Sequence, residues 1–188
     1  VFLNQGEPQS VEVEAEKASL EFIETEVMGN SLNLKTRDGQ WRNLGKMKIF
    51  ITLPVINQIS ISGSGNVMSQ TAIRSGDLSI EISGSGNIKI SGLEAANIST
   101  TITGSGNATL AGKCDQAQLE ATITGSGSLK ADELSVASAG ITITGSGSAR
   151  VNVLKELESH ITGSGNVQYK GNPLINAHST GSGKTTAL

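Results

Sequence analysis

Residues 61–67 read ISGSGNV, that is Ile61-Ser62-Gly63-Ser64-Gly65-Asn66-Val67. Alone, Gly-Ser-Gly has the composition of a flexible linker. The same triplet returns at 84–86, 104–106, 125–127, 145–147, 163–165 and 181–183. The steps between its first glycines are 21, 20, 21, 20, 18 and 18 residues. A linker has no reason to keep a period, whereas a fixed period near 20 marks a solenoid.

Each repeat can be counted from its first glycine as zero. Position −2 is Ile61, Ile82, Ile102, Ile123, Ile143, Ile161 and then Ser179. Position −4 runs Ile59, Ile80, Thr100, Ala121, Ile141, Ser159, Ala177, and position −6 includes Leu78, Ile98, Leu119 and Leu157. The positions between them are mostly polar, with Ser or Thr at −1 in every repeat. That alternation is the period of a strand with one buried face, and β-branched residues suit its pleat. It resumes after the glycines, at Ile88 and Ile90 or Ala108 and Leu110. The remainder of each repeat, such as 91–97, has room for a turn and a short third strand. One repeat is therefore one coil of a parallel β-helix, with equivalent residues about 4.8 Å apart in successive coils. Its hand is expected to be right, from strand twist. GSG is then a repeated corner, where glycine permits positive φ and close backbone approach. Position +3 is Asn66, Asn87, Asn107, Ser128, Ser148 and Asn166, a series able to hydrogen-bond from coil to coil.

Residues 1–58 have another texture, and we place a boundary between them and a GSG-repeat β-helix over 59–188. By count, 14 of the 31 charged residues fall in 1–60. Val11, Val13 and Ala15 alternate with acids, Lys17–Ile23 has the makings of one helical turn, and Met28-Gly29-Asn30-Ser31 is a hairpin signal. Asp38-Gly39 signals another turn, and Met47, Ile49, Ile51 and Leu53 spell a strand ending at Pro54. This section is expected to be mainly antiparallel and to pack on one end of the solenoid as a cap, because bare ends expose strand edges. The overall expectation is an all-β fold.

Composition narrows the chemistry. A net charge of −3 over 188 residues supplies no basic field for nucleic acid or anionic lipid. The aromatics are five, Phe2, Phe22, Phe50, Trp41 and Tyr169, few for stacking on sugars or bases. The single Cys114 excludes an internal disulfide and reads as a small buried apolar residue. The chain has no apolar run long enough to span a membrane as a helix. It opens mid-pattern at Val1-Phe2-Leu3, as expected if an upstream segment has been removed. Ser179–Thr186 imitates a phosphate-binding loop, but His178 stands where that pattern needs glycine, so no nucleotide is expected. Seven acids (Glu7, Glu12, Glu14, Glu16, Glu21, Glu24 and Glu26) read as a solvated strand face, the alternative being weak cation binding. His160 and His178, the only histidines, share position −3 on consecutive coils. They read as two solvated imidazoles, the alternative being a metal site with Glu158 as third ligand. The residues 61–188 carry no evident cluster of carboxylates and bases. We assign no catalytic, cofactor-binding or metal residues and expect no cofactor.

The units I-[ST]-G-S-G-N-[VI] at 61–67 and 82–88, the weaker copies from 102 to 183, VFLNQGEPQSVEVEAE at 1–16, FIETEV at 22–27 and the strand at 48–54 together resemble a known bacterial family. That family is described as putative auto-transporter adhesin, head GIN domain. The resemblance covers essentially the whole chain. It implies β-helical character, export to the cell envelope behind a signal or lipoprotein peptide absent from this chain, and no catalytic or ligand residues. The expected function is a non-enzymatic surface module for adhesion or assembly, with a protein or glycan as unknown partner. The alternatives are a glycan-binding or glycan-cleaving β-helix and a homo-polymerising envelope scaffold.

Overall fold

In the computed structural model, residues 1–37 and 47–188 are described; the Asp38-Gly39 turn lies outside them. The elements in chain order are β1 (Phe2–Gln5), β2 (Ser10–Glu14), α1 (Lys17–Leu20), β3 (Ile23–Met28), β4 (Ser31–Thr36), β5 (Lys48–Leu53), β6 (Gln58–Gly63), β7 (Asn66–Ser69), β8 (Ile73–Gly84), β9 (Asn87–Gly104), β10 (Asn107–Gly125), β11 (Ser128–Gly145), β12 (Ser148–Gly163), β13 (Asn166–Lys170), β14 (Leu174–Gly181) and β15 (Lys184–Ala187). The fold is nearly all-β, a solenoid of about six turns with coils of about 20 residues. Strands β9 to β12 run almost a full coil each, 16 to 19 residues, from one GSG corner to the next. They are parallel throughout. Their pairing slips twice per coil, for example between Thr109 and Ala111 and between Cys114 and Gln118, so one long strand bends where separate shorter strands were expected.

The register aligns the repeats by position. Ile82, Ile102, Ile123, Ile143 and Ile161 pair in sequence, and each is at most 2% exposed. Leu78, Ile98, Leu119, Ala139 and Leu157 form a second internal stack, and Ile88, Ala108, Leu129, Ala149 and Val167 a third. Small residues in one stack sit among large ones, as close packing of a narrow interior requires.

The corners show that the two glycines of each triplet serve different needs. The first adopts positive φ, +104° at Gly63 and +129° at Gly181, which L-residues rarely tolerate. A Cβ on Gly104 would also lie 2.5 Å from the carbonyl oxygen of Gly84. The second glycine has no such φ. There a Cβ on Gly86 would lie 2.6 Å from Cγ2 of Ile61, the core isoleucine of the coil before. The serine between them points to solvent. The inter-coil ladder continues through the bend: Ser105 N donates to Gly84 O at 2.8 Å and Asn107 N to Gly86 O at 3.0 Å.

At the N-terminal end, β1 pairs in parallel with both β5 and β7, so the solenoid sheet crosses the sequence boundary at 58/59. β2 runs antiparallel to β5, and β3 and β4 form a separate antiparallel hairpin closed by Gly29-Asn30. The helical turn is present but spans only Lys17–Leu20, and Ile23 already belongs to β3. Leu32 and Leu34 of the hairpin pack on the core. The N-terminal acids are exposed or half-buried; Glu14 meets Lys48 at 3.3 Å and Glu24 meets Arg37 at 2.8 Å. In the coil at 174–181, Ile175, Ala177 and Ser179 stack on Leu157, Ser159 and Ile161, yet all three are exposed.

Candidate contact face

With the interior filled, the chemistry available lies on the outside. The strand segment leading into each GSG corner presents positions −5, −3 and −1 outward. Over three consecutive coils positions −3 and −1 are Thr101 and Thr103, Thr122 and Thr124, Thr142 and Thr144, all exposed and in register. The isoleucine between each pair is buried, which fixes both threonines outward. The result is a grid of hydroxyl and methyl groups about 4.8 Å apart between coils and about 6.8 Å apart along a strand. The next two coils continue it with His160 and Thr162, then His178 and Thr180. The imidazole centroids are 6.2 Å apart, with the rings tilted at 55°. His160 Nε2 lies 3.0 Å from a Glu158 carboxylate oxygen. Among the described residues, no group of three or more His, Cys, Asp and Glu is arranged to hold a metal.

Beside this face, the corner asparagines form the expected ladder only in part. Asn87 Nδ2 donates to Asn66 Oδ1 at 2.7 Å, Asn107 to Asn87 at 2.8 Å, and Ser128 Oγ to Asn107. Serine cannot pass an amide bond onward, and Asn166 turns instead toward Ser164 O. The opposite bend carries paired charges: Arg74 with Glu94 at 2.9 Å, Lys113 with Asp115, and Lys170 with Asp132 at 3.0 Å. The hydrogen bond from Lys170 holds the Asp132 carboxyl below the usual aspartate range. Cys114 is buried there, as expected; its thiol donates to Leu93 O, and burial pushes its pKa up, so it is a poor nucleophile. Two shallow depressions lie among the described residues, one beside Asp77 and Asn97, another along Gly92–Ala96 and Gly112–Ala117. The second is lined by Glu94, the buried Cys114 and the ion pair of Lys113 with Asp115, which meet at 3.6 Å. The phosphate-loop look-alike is the seventh corner followed by strand β15, with no helix to hold a phosphate. No helix of the described residues is long and apolar enough to cross a membrane.

Several solved structures share this architecture. A protein described as a putative adhesin from Bacteroides fragilis NCTC 9343 is 26% identical, with a TM-score of 0.93 over 100% of this chain and 87% of that one. A putative adhesin from Parabacteroides distasonis ATCC 8503 is 22% identical, TM-score 0.78, with the same coverage of both chains. Another protein from that organism, described as a putative lipid binding protein, is 22% identical with a TM-score of 0.80, again over 100% of this chain and 87% of that one. No match was found among curated proteins. The sequence model described as putative auto-transporter adhesin, head GIN domain, matches residues 1–173, and the chain belongs to that family.

Proposed function

We propose that this chain is a non-enzymatic module of the bacterial cell envelope or surface that makes contact through the threonine grid, with residues 1–58 serving as the solenoid's cap. The observation that carries the reading is the in-register set Thr101/Thr103, Thr122/Thr124 and Thr142/Thr144 on a rigid parallel sheet. Each threonine pair flanks one buried isoleucine, so these side chains sit on a fixed backbone and lose little freedom on binding, which favours association over a broad surface. The family description and the adhesin-like relatives support the same reading. The description of one relative as lipid-binding adds lipid to the candidate ligands. In this chain the interior is packed with fully buried Ile, Leu and Val, so lipid would meet an outer face. The test is an array of glycans, matrix proteins and lipid vesicles, probed with the parent and with a Thr122→Glu/Thr124→Glu variant. A reproducible hit weakened in the variant supports the reading. Hits that ignore the substitutions place contact elsewhere, and turnover of any arrayed substrate overturns the non-enzymatic assignment.

A further inference from the structure

We propose that the last two coils carry a metal site in which His160, through Nδ1, and His178 chelate one divalent ion of the zinc, copper or nickel class. Both histidines of the chain fall on paired positions of adjacent parallel strands, β12 and β14. Both are exposed; the Glu158 contact orients the His160 ring and leaves the His178 ring to turn toward it. The centroids stand 6.2 Å apart. Two imidazoles sharing an ion at about 2.0–2.1 Å from each nitrogen have centroids about 5 Å apart. Small side-chain rotations close that gap.

Glu158 decides which nitrogen is available. Its carboxylate is only an acceptor, so the 3.0 Å contact requires the proton on His160 Nε2. The lone pair then sits on Nδ1. A carboxylate that orients a ligating imidazole from its far side fixes the tautomer and raises ligand basicity. In this arrangement Glu158 supports a ligand and is not itself one. That agrees with the lack of any three-donor group among the described residues. Water completes the coordination. The neutral neighbour beneath His160 is Thr142. Imidazole donors suit zinc, copper and nickel over magnesium or calcium.

Such an ion would bridge β12 to β14 only while the terminal coil is docked, so binding would stabilise that coil. The experiment is titration of Zn2+ into the 188-residue chain by calorimetry at about pH 7.5, where neutral imidazole is the ligating form, with hydrogen exchange of residues 174–181 followed alongside. We expect one ion per chain with micromolar affinity, loss of saturable binding in both His160→Ala and His178→Ala, and about tenfold weaker binding in Glu158→Ala. Exchange over 174–181 should slow with Zn2+ in the parent and not in His178→Ala. These side chains are exposed, so circular dichroism should report unchanged folding. Absence of saturable binding in the parent, unchanged binding in either histidine variant, or one ion per two chains with dimers in sedimentation would each overturn the site.

Discussion

Replacing Gly104 by valine forces a β-branched residue to a φ of +114° and drives its Cβ to 2.5 Å from Gly84 O. Both penalties act at once, and the obstructing atom is backbone, which cannot swing aside. We expect a loss of more than about 3 kcal/mol, at the severe end for point substitutions. Ser105→Ala, one residue on and exposed, should shift the melting temperature little. Chemical denaturation of both variants checks the contrast; equal stability would remove the corner argument. Thr100 offers the opposite sign. Its hydroxyl is buried with no hydrogen-bond partner, in a stack whose neighbours are Ile80 and Ala121. The comparable Ser159 has found Thr185 at 2.8 Å. Thr100→Val keeps the shape and removes the orphan oxygen, so it should stabilise by about 1–2 kcal/mol. A destabilised Thr100→Val in the same denaturation series would mean the hydroxyl has a partner such as bound water. The corner was legible in the sequence because it repeats; position −4 likewise put Thr100 inside, but whether a neighbour meets its hydroxyl, as Thr185 meets Ser159, needed coordinates.

Among elements, the inward and outward faces of β9 to β12 could be read from alternation alone, because one register buries every Ile at −2 and any slip would expose them all. The hairpin of β3 and β4 followed from Gly29-Asn30, whose first residue has φ of +60°. The second bend of each coil was less visible. Residues 91–97 and 112–118 share no spaced motif, and the slips in pairing there are absorbed by bulges. Nor did the sequence show that β1 and β5 would join the parallel sheet, since they carry no GSG to align them. Of the contact face, the threonines and the histidine stack were legible from position, while the hydrogen bond that orients His160 needed coordinates. The bond from Lys170 at the end of β13 to Asp132 of β11 ties the late coils together. Because folding lowers the Asp132 pKa, its contribution is present above the unfolded aspartate value and is lost as pH falls through the folded one. Parent and Asp132→Asn should therefore differ in melting temperature at about pH 7, and the gap should begin to close as pH falls below the ordinary aspartate value of about 3.9. A gap that stays constant across that range would assign the difference to packing instead of charge.

At the scale of the molecule, each coil touches only its neighbours, so stability is close to a sum of coil and interface contributions. Register makes this testable. Removing residues 126–145 joins Gly125 to Ser146, and Ser148 then occupies the place of Ser128, its own register partner. The shortened chain should fold, with a β-sheet dichroism spectrum and a length reduced by about 4.8 Å in solution scattering. Failure to fold would show that coil 126–145 carries information its neighbours lack, such as the buried Leu134–Val136 stretch. The inter-coil hydrogen bonds, such as that from Ser105 to Gly84, run along the solenoid axis. A load applied along it therefore meets one rung at a time, as in peeling tape, and the coil beyond Gly163, whose inward-facing Ile175, Ala177 and Ser179 are exposed, yields before the fully buried coils. Each coil of about 20 residues pays out roughly 70 Å of chain. If the chain tethers a cell as proposed, it would give slack in small steps under drag without release of the bond at its far end; stretching in an optical trap should show this as a regular sawtooth, and a single all-or-none rupture would rule it out.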